Sequence, residues 1–243
     1  MNSFGNIKDI KIDDLATWKD KIFLTFDLDW AIDPVIEETL DILEGHDLSA
    51  TIFVTHETKL LDRMRKNPNI ELGIHPNFNF LLEGDFRYGK TYEEVILYYK
   101  DIVPEAVSLR SHSMTNNSRI SNSLDKLGIS YNCNYFIPYN AVKKIKPFIF
   151  WSSDLIIVPY IWEDDINLLY NDNQPIRNVL KDDSLAVFDF HPIHIFLNSD
   201  SMKRYESSKA DFTNIDKLAS YVNTKNRGIK DKFLDLINFC VNK

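Results

Sequence analysis

The stretch KIFLTFDLDW, residues 21–30, runs a strand-like apolar segment straight into two carboxylates, Asp27 and Asp29. A buried strand favours such a run, but a carboxylate is costly to bury unless a cation, an arginine or an open cleft compensates it. The acid pair therefore raises the question of what balances it.

Working outward, DPVIEETLDILEGH carries Ile36, Leu40 and Leu43 on one helical stripe. Asp33 reads as its cap, Pro34 as the first helical position and Gly45 as its stop. Strands are expected at SATIFVTH (49–56), IELGI (70–74), AVSLR (106–110) and SLAVFDF (184–190), with shorter ones in ISYNCN, KPFIFWS and DLIIVPY. Helices are expected at ETKLLDRMRKNP, TYEEVILYYKDIV (91–103) and SRISNSLDKLG (118–128), the last closed by Gly128. Strands alternating with helices imply a parallel sheet covered by helices. No linker or repeat interrupts the pattern, so one domain over 1–243 is expected, with a core of 20–195 and C-terminal helices in 212–243. A wound open sheet and a closed barrel both fit this periodicity.

With 243 residues, 44% of them apolar, the chain can bury a sizeable core. A net charge of −8 argues against nucleic acid or anionic membrane as a partner. Cys133 and Cys240 have no metal-knuckle spacing and read as reduced thiols. The opening MNSFGNIKDIKIDD lacks the apolar core of a signal peptide, and no run approaches the roughly 18 apolar residues of a membrane span. A soluble cytoplasmic protein is the expectation.

In both candidate architectures the site lies at the carboxyl ends of the strands. There the sequence places Asp27 and Asp29, then His75 with Asn77 and Asn79, then Arg110, Ser111 and His112, then Asp189, His191 and His194. Four of the six histidines follow predicted strands. Carboxylates with imidazoles suit a divalent ion whose open position holds water. Such an ion makes the water nucleophilic and polarises a carbonyl, while a free carboxylate and a histidine move protons.

These motifs resemble the polysaccharide deacetylase family, carbohydrate esterases that share the NodB homology domain. TFDLD resembles the family's opening aspartate motif and GIHPNFN its metal-histidine motif; SLRSHS and VFDFHP stand where its arginine and late-histidine motifs fall. FDLDW, GIHPNFN, RSHS and FHPIHIFLN together resemble the WbmS-like branch, associated with bacterial surface-polysaccharide synthesis. The resemblance implies a distorted (β/α) barrel of roughly seven strands rather than eight. It also implies removal of an acyl group, usually acetyl, from an amino sugar, with a small-molecule or lipid-linked sugar as substrate. By position, Asp27 matches the general base, Arg110 the arginine paired with it, and His191 the general acid. Asp29 and His75 match ligands of one divalent metal, zinc first, with cobalt, nickel or manganese as alternatives.

Two positions depart from the family pattern. The fourth residue after His75 is Asn79 where relatives carry histidine, so either Asn79 or His112 is expected to complete the metal site. RSHS replaces a proline-containing stretch, which leaves the oxyanion contacts open. Trp30 and Asn77 are candidate substrate contacts, and Trp30, Trp151 and Trp162 are candidate walls for a sugar ring. His194 and Asp154 read as fold residues. The same residues would serve an amide hydrolase of another substrate, or a sugar-binding relative without catalysis. That choice lies in loops such as 76–90 and 159–175.

Overall fold

The computed structural model describes residues 3–241. Its strands are β1 (Ser3–Phe4), β2 (Lys21–Asp27), β3 (Ala50–Val54), β4 (Ile70–Ile74), β5 (Ser108–Leu109), β6 (Tyr131–Asn132), β7 (Phe148–Ile149), β8 (Ile156–Ile157), β9 (Trp162–Glu163) and β10 (Ala186–Phe190). The helices are α1 (Asp33–Gly45), α2 (Leu61–Lys66), α3 (Asn79–Leu82), α4 (Tyr92–Ile102), α5 (Ser118–Leu124), α6 (Asp164–Leu169), α7 (Pro192–Phe196), α8 (Met202–Ser208), α9 (Ile215–Leu218) and α10 (Ile229–Val241).

The sheet order is β7-β8-β6-β5-β4-β3-β2-β10-β9, with β1 beside β2. All pairings are parallel except β7 with β8. The two ends of this order belong to one stretch of chain. Ile156 and Ile157 pair with β6, and Val158 N–H donates to Asn132 O at 3.0 Å. Tyr160 then bridges to Phe136, Ile161 N–H donates to Val187 O at 2.9 Å, and Trp162 and Glu163 pair with β10. The run 156–163 thus crosses from one edge to the other and shuts the ring. Counting it once, the ring is β2, β3, β4, β5, β6, this run and β10. This is the distorted barrel that the resemblance implied, and it resolves the choice that periodicity left open.

Side chains fill the ring in layers. At the amino-terminal end, Glu71 accepts from Thr51 Oγ1 (2.8 Å), Ser108 Oγ (2.8 Å) and Lys8 N–H (2.9 Å), so residues 7–8 of the amino-terminal segment stop that end. Above it, a Cβ on Gly73 would lie 2.6 Å from both Phe53 Cδ1 and Ser108 Oγ, so only glycine fits that point on β4. Next comes Arg110, its guanidinium 4.7 Å from the Phe53 ring centre and 4.5 Å from that of Tyr160. Outside the ring, Phe26 and Phe190 pack against Phe233 of α10, with centroids 5.7 and 5.0 Å away. That contact fastens the last helix over the neighbouring strands β2 and β10.

Several local expectations are corrected. Asp33 does not cap α1; it is the first helical residue, and its Oδ1 accepts from Thr58 Oγ1 at 2.5 Å. Gly45 is the last residue of the helix, as expected, but the left-handed turn after it falls on Asp47 (φ 52°). Gly128 does take the left-handed conformation (φ 75°) expected of a helix stop. The C-terminal helices fall at 215–218 and 229–241; the last two residues of the expected span, 242–243, lie outside the described residues. Helices α6 and α7 were not anticipated. Among the described residues no helix is long and apolar enough to cross a membrane.

Candidate active site

Strand β2 ends at Asp27, and the chain then turns sharply. Asp29 (φ 41°) and Trp30 (φ 57°) are consecutive left-handed residues without glycine, a conformation costing about 1–2 kcal/mol each. Trp30 N–H donates to Thr55 Oγ1 (3.0 Å) and Leu28 N–H to Phe53 O (3.2 Å), so β3 and the residue after it hold the turn. The result points Asp29 back over the barrel mouth.

There Asp29 Oδ1 lies 3.3 Å from His75 Nε2 and 3.1 Å from His112 Nδ1. The three ligand atoms all fall within 4.8 Å of one another. Donors about 2.1 Å from a tetrahedral ion stand roughly 3.4 Å apart, so two imidazoles and a carboxylate at these separations fit a zinc-type ion. Burial alone would raise the Asp29 pKa, but hydrogen bonds to His112 and His75 hold it well below the usual carboxylate range. The carboxyl is thus a ready anionic ligand. Asn79 is turned to other work: its amide donates to Ser113 Oγ and accepts from Thr115 Oγ1, both at 3.2 Å. Of the two alternatives for the third ligand, His112 is the one that faces Asp29.

Asp27 sits one layer deeper and is buried. Its Oδ1 accepts from Arg110 Nη1 at 3.1 Å, and its Oδ2 lies 3.5 Å from His75 Nδ1. Arg110 also donates to Asp189 and, through Nη2, to Thr25 Oγ1 at 2.9 Å. At 1% exposure the guanidinium is inside the barrel, where it compensates two buried carboxylates. Burial lowers its pKa but the charges of Asp189 and Asp27 more than restore it, so it stays cationic. The opening pair of acids thus has two different balances, an arginine for Asp27 and a pair of imidazoles for Asp29.

Opposite, His191 begins the loop after β10. Its backbone N–H donates to Asp164 Oδ2 and its Nδ1 meets Asp164 Oδ1, both at 2.7 Å. That leaves Nε2 facing the mouth, 3.7 Å from Asp29 Oδ2. Burial opposes the charged ring, yet Asp164 and Asp165 raise its pKa well above the ordinary histidine value. The paired acids thus favour the charged form of the His191 ring. His194 is buried between Asp165 Oδ1 (2.6 Å) and Ser199 Oγ (2.9 Å), which fixes the turn under His191. Asp165 is driven down to about 2, with burial opposing and the His191 charge and His194 hydrogen bond prevailing. Glu163 is pushed up to about 7 by burial, against the pull of His191.

The sequence reading missed Asp164 and Asp165 and gave Asp189 no role. The available signal was the acid run in WEDD directly after an apolar stretch. Among the tryptophans, Trp30 stands at the mouth with its ring edge-on to His112 (5.1 Å) and more than a third of its surface exposed. Trp162 is not a free wall: it is core, 4.9 Å from the Phe190 ring. Trp151 is exposed but precedes β8, at the end of the barrel away from the site, as does Asp154. Asn77 is buried, its amide oxygen accepting from Asn79 N–H at 2.9 Å, so it shapes the turn after His75.

A search among curated proteins found no match to the chain. Among solved structures, a protein assigned as a polysaccharide deacetylase involved in O-antigen biosynthesis (WbmS) from Bordetella bronchiseptica aligns with 38% identity over 98% of each chain, at a TM-score of 0.92. A protein assigned as a polysaccharide deacetylase from Mycobacterium smegmatis aligns over 86% of this chain and 94% of its own, at 15% identity and a TM-score of 0.48. A family 4 carbohydrate esterase from Streptomyces lividans, in complex with acetate, covers 82% of this chain and 86% of its own, at 12% identity and a TM-score of 0.44. The family model for WbmS-like polysaccharide deacetylases matches residues 24–209, which include every site residue named above. The chain belongs to the WbmS-like polysaccharide deacetylase family.

Proposed function

We propose that the protein is a metal-dependent N-deacetylase acting on an acylated amino sugar of bacterial surface-polysaccharide synthesis. The observation that carries this reading is the convergence of Asp29, His75 and His112 on one point, with Asp27 and His191 on either side. A divalent ion held by those three residues would supply Lewis-acid polarisation of the acyl carbonyl and a more acidic water.

The protein's own groups do the rest. Asp27, held by Arg110, takes a proton from the attacking water as its oxygen bonds to the acyl carbon. His191 Nε2 then gives its proton to the leaving nitrogen as the C–N bond breaks, with Asp164 keeping the ring charged and aimed. The products are a carboxylate and a free amino sugar. The WbmS protein's O-antigen description supports a sugar substrate, and the buried thiol of Cys133 supports a reducing, cytoplasmic setting.

The test is purified protein, reloaded with zinc, cobalt, nickel or manganese in turn, and offered N-acetylated sugars. Acetate and primary amine should appear in equal amounts only with metal present. Release at an unchanged rate from fully metal-stripped protein would remove the reading.

A further inference from the structure

Asp29 reaches the candidate metal point by way of two consecutive left-handed residues, itself (φ 41°) and Trp30 (φ 57°). Neither is glycine, so the turn persists only where its surroundings over-determine it. One restraint is the Thr55 hydroxyl, which accepts from Trp30 N–H at 3.0 Å. Thr55 is buried, and its own proton needs an acceptor there. The next side chain supplies one: Thr55 Oγ1 and His56 Nδ1 lie 2.7 Å apart.

The inventory of hydrogens sets the direction of that bond. A hydroxyl has one proton to give, and the Trp30 amide already points at its oxygen. If Nδ1 carried hydrogen, it too would donate to Thr55, leaving the hydroxyl proton stranded in a buried place. Nδ1 is therefore the acceptor, and the ring hydrogen sits on Nε2. Burial lowers the ring's pKa, while its hydrogen bond to the Ala31 backbone and the charge of Asp33 act against that. His56 thus meets the turn at two successive residues, through Thr55 at Trp30 and directly at Ala31. Its outer edge borders an open groove with Ile32, Thr213 and Ile215, so a ring of similar size has room in its place.

We propose that His56 is a positioning residue for Asp29: as a neutral ring with its hydrogen on Nε2, it orients the Thr55 hydroxyl to receive Trp30 N–H and so holds the strained turn that aims the carboxylate. The proposal rests on the metal-site reading above, yet the turn itself can be followed without metal or substrate.

Two substitutions separate hydrogen bonding from bulk. His56→Phe keeps a ring and removes the acceptor, whereas His56→Asn places an amide oxygen where Nδ1 stood. In metal-free protein, amide hydrogen exchange at Trp30 should quicken roughly fivefold or more in His56→Phe and stay near wild type in His56→Asn. Zinc affinity from chelator competition should fall about 10-fold or more in His56→Phe and largely recover in His56→Asn. Unchanged exchange in His56→Phe would overturn the positioning role, and so would equal losses in both variants, which packing alone would explain. Should either variant fail to fold, nitrogen-15 NMR of the wild-type ring decides: hydrogen on Nε2 alone is expected, and hydrogen on Nδ1 overturns the proposal. Wild-type protein that takes up no zinc would remove the metal-dependent reading instead, with the exchange and ring results still deciding what His56 does.

Discussion

Asp164 grips His191 twice, through the backbone N–H and through Nδ1, both at 2.7 Å, from a position with no solvent exposure. One carboxylate therefore sets both the position and the charge of the candidate proton donor. Asp164→Asn should keep the fold and lower kcat by about 10²-fold. The sign of the pH effect follows from the cause. Asp164 raises the His191 pKa, so its neutralisation lowers that pKa and moves the alkaline limb of the pH–rate profile to lower pH. A profile whose alkaline limb stays in place would show that another group donates the proton.

Asp27→Asn tests the base. Arg110 and His75 remain as neighbours, and none of the three residues facing the metal point is altered. Metal content measured by elemental analysis should match wild type, while kcat falls by roughly 10²–10⁴-fold. Retained turnover would exclude Asp27 as the base.

The third-ligand question separates into two variants. His112→Ala removes an imidazole 3.1 Å from Asp29, whereas Asn79→Ala removes hydrogen bonds to Ser113 and Thr115. Zinc affinity from chelator competition should fall more than about 10-fold for His112→Ala and change little for Asn79→Ala. The reverse order would hand the ligand role to Asn79. For the wild type, exhaustive chelation should abolish turnover, with recovery on adding metal.

Glu71 gives a pH signature at the other end of the barrel. Burial raises its pKa from 4.5, and the hydrogen bonds from Lys8, Ser108 and Thr51 offset that only in part. A carboxyl with a raised folded pKa stabilises most below its unfolded value, and that advantage is lost as pH climbs through the folded one. Glu71→Gln, free of this titration, should gain in relative Tm from about pH 4.5 toward neutrality. Parallel Tm-versus-pH curves for the two proteins would contradict the assignment.

Gly73→Ala should cost about 1–3 kcal/mol in chemical denaturation, because the new methyl meets Phe53 and Ser108 at 2.6 Å inside the filled ring. An unchanged midpoint would mean that the interior is looser than these contacts imply.

How much of this was legible in the sequence depends on strand length. Strands β2, β3, β4 and β10 are five residues or longer, continuously buried and followed at once by polar groups, so Asp27, Asp29, His75 and His191 could be placed at one rim. The segments β5, β6, β8 and β9 have two residues each, too few to show a period, and the closing run is interrupted by Pro159. Asp164 was lost for that reason: without β9 there was no strand end to hang it on. For Trp162 the choice between core and sugar wall stayed open in the sequence because its burial depends on Phe188 and Phe190, neighbours that only the β9–β10 pairing supplies.

The run 156–163, which shuts the ring, is continuous with Asp164, the clasp of His191. Opening that seam would release the carboxylate that orients the His191 ring, so closure of the ring of strands and the setting of this one side chain depend on the same stretch of chain.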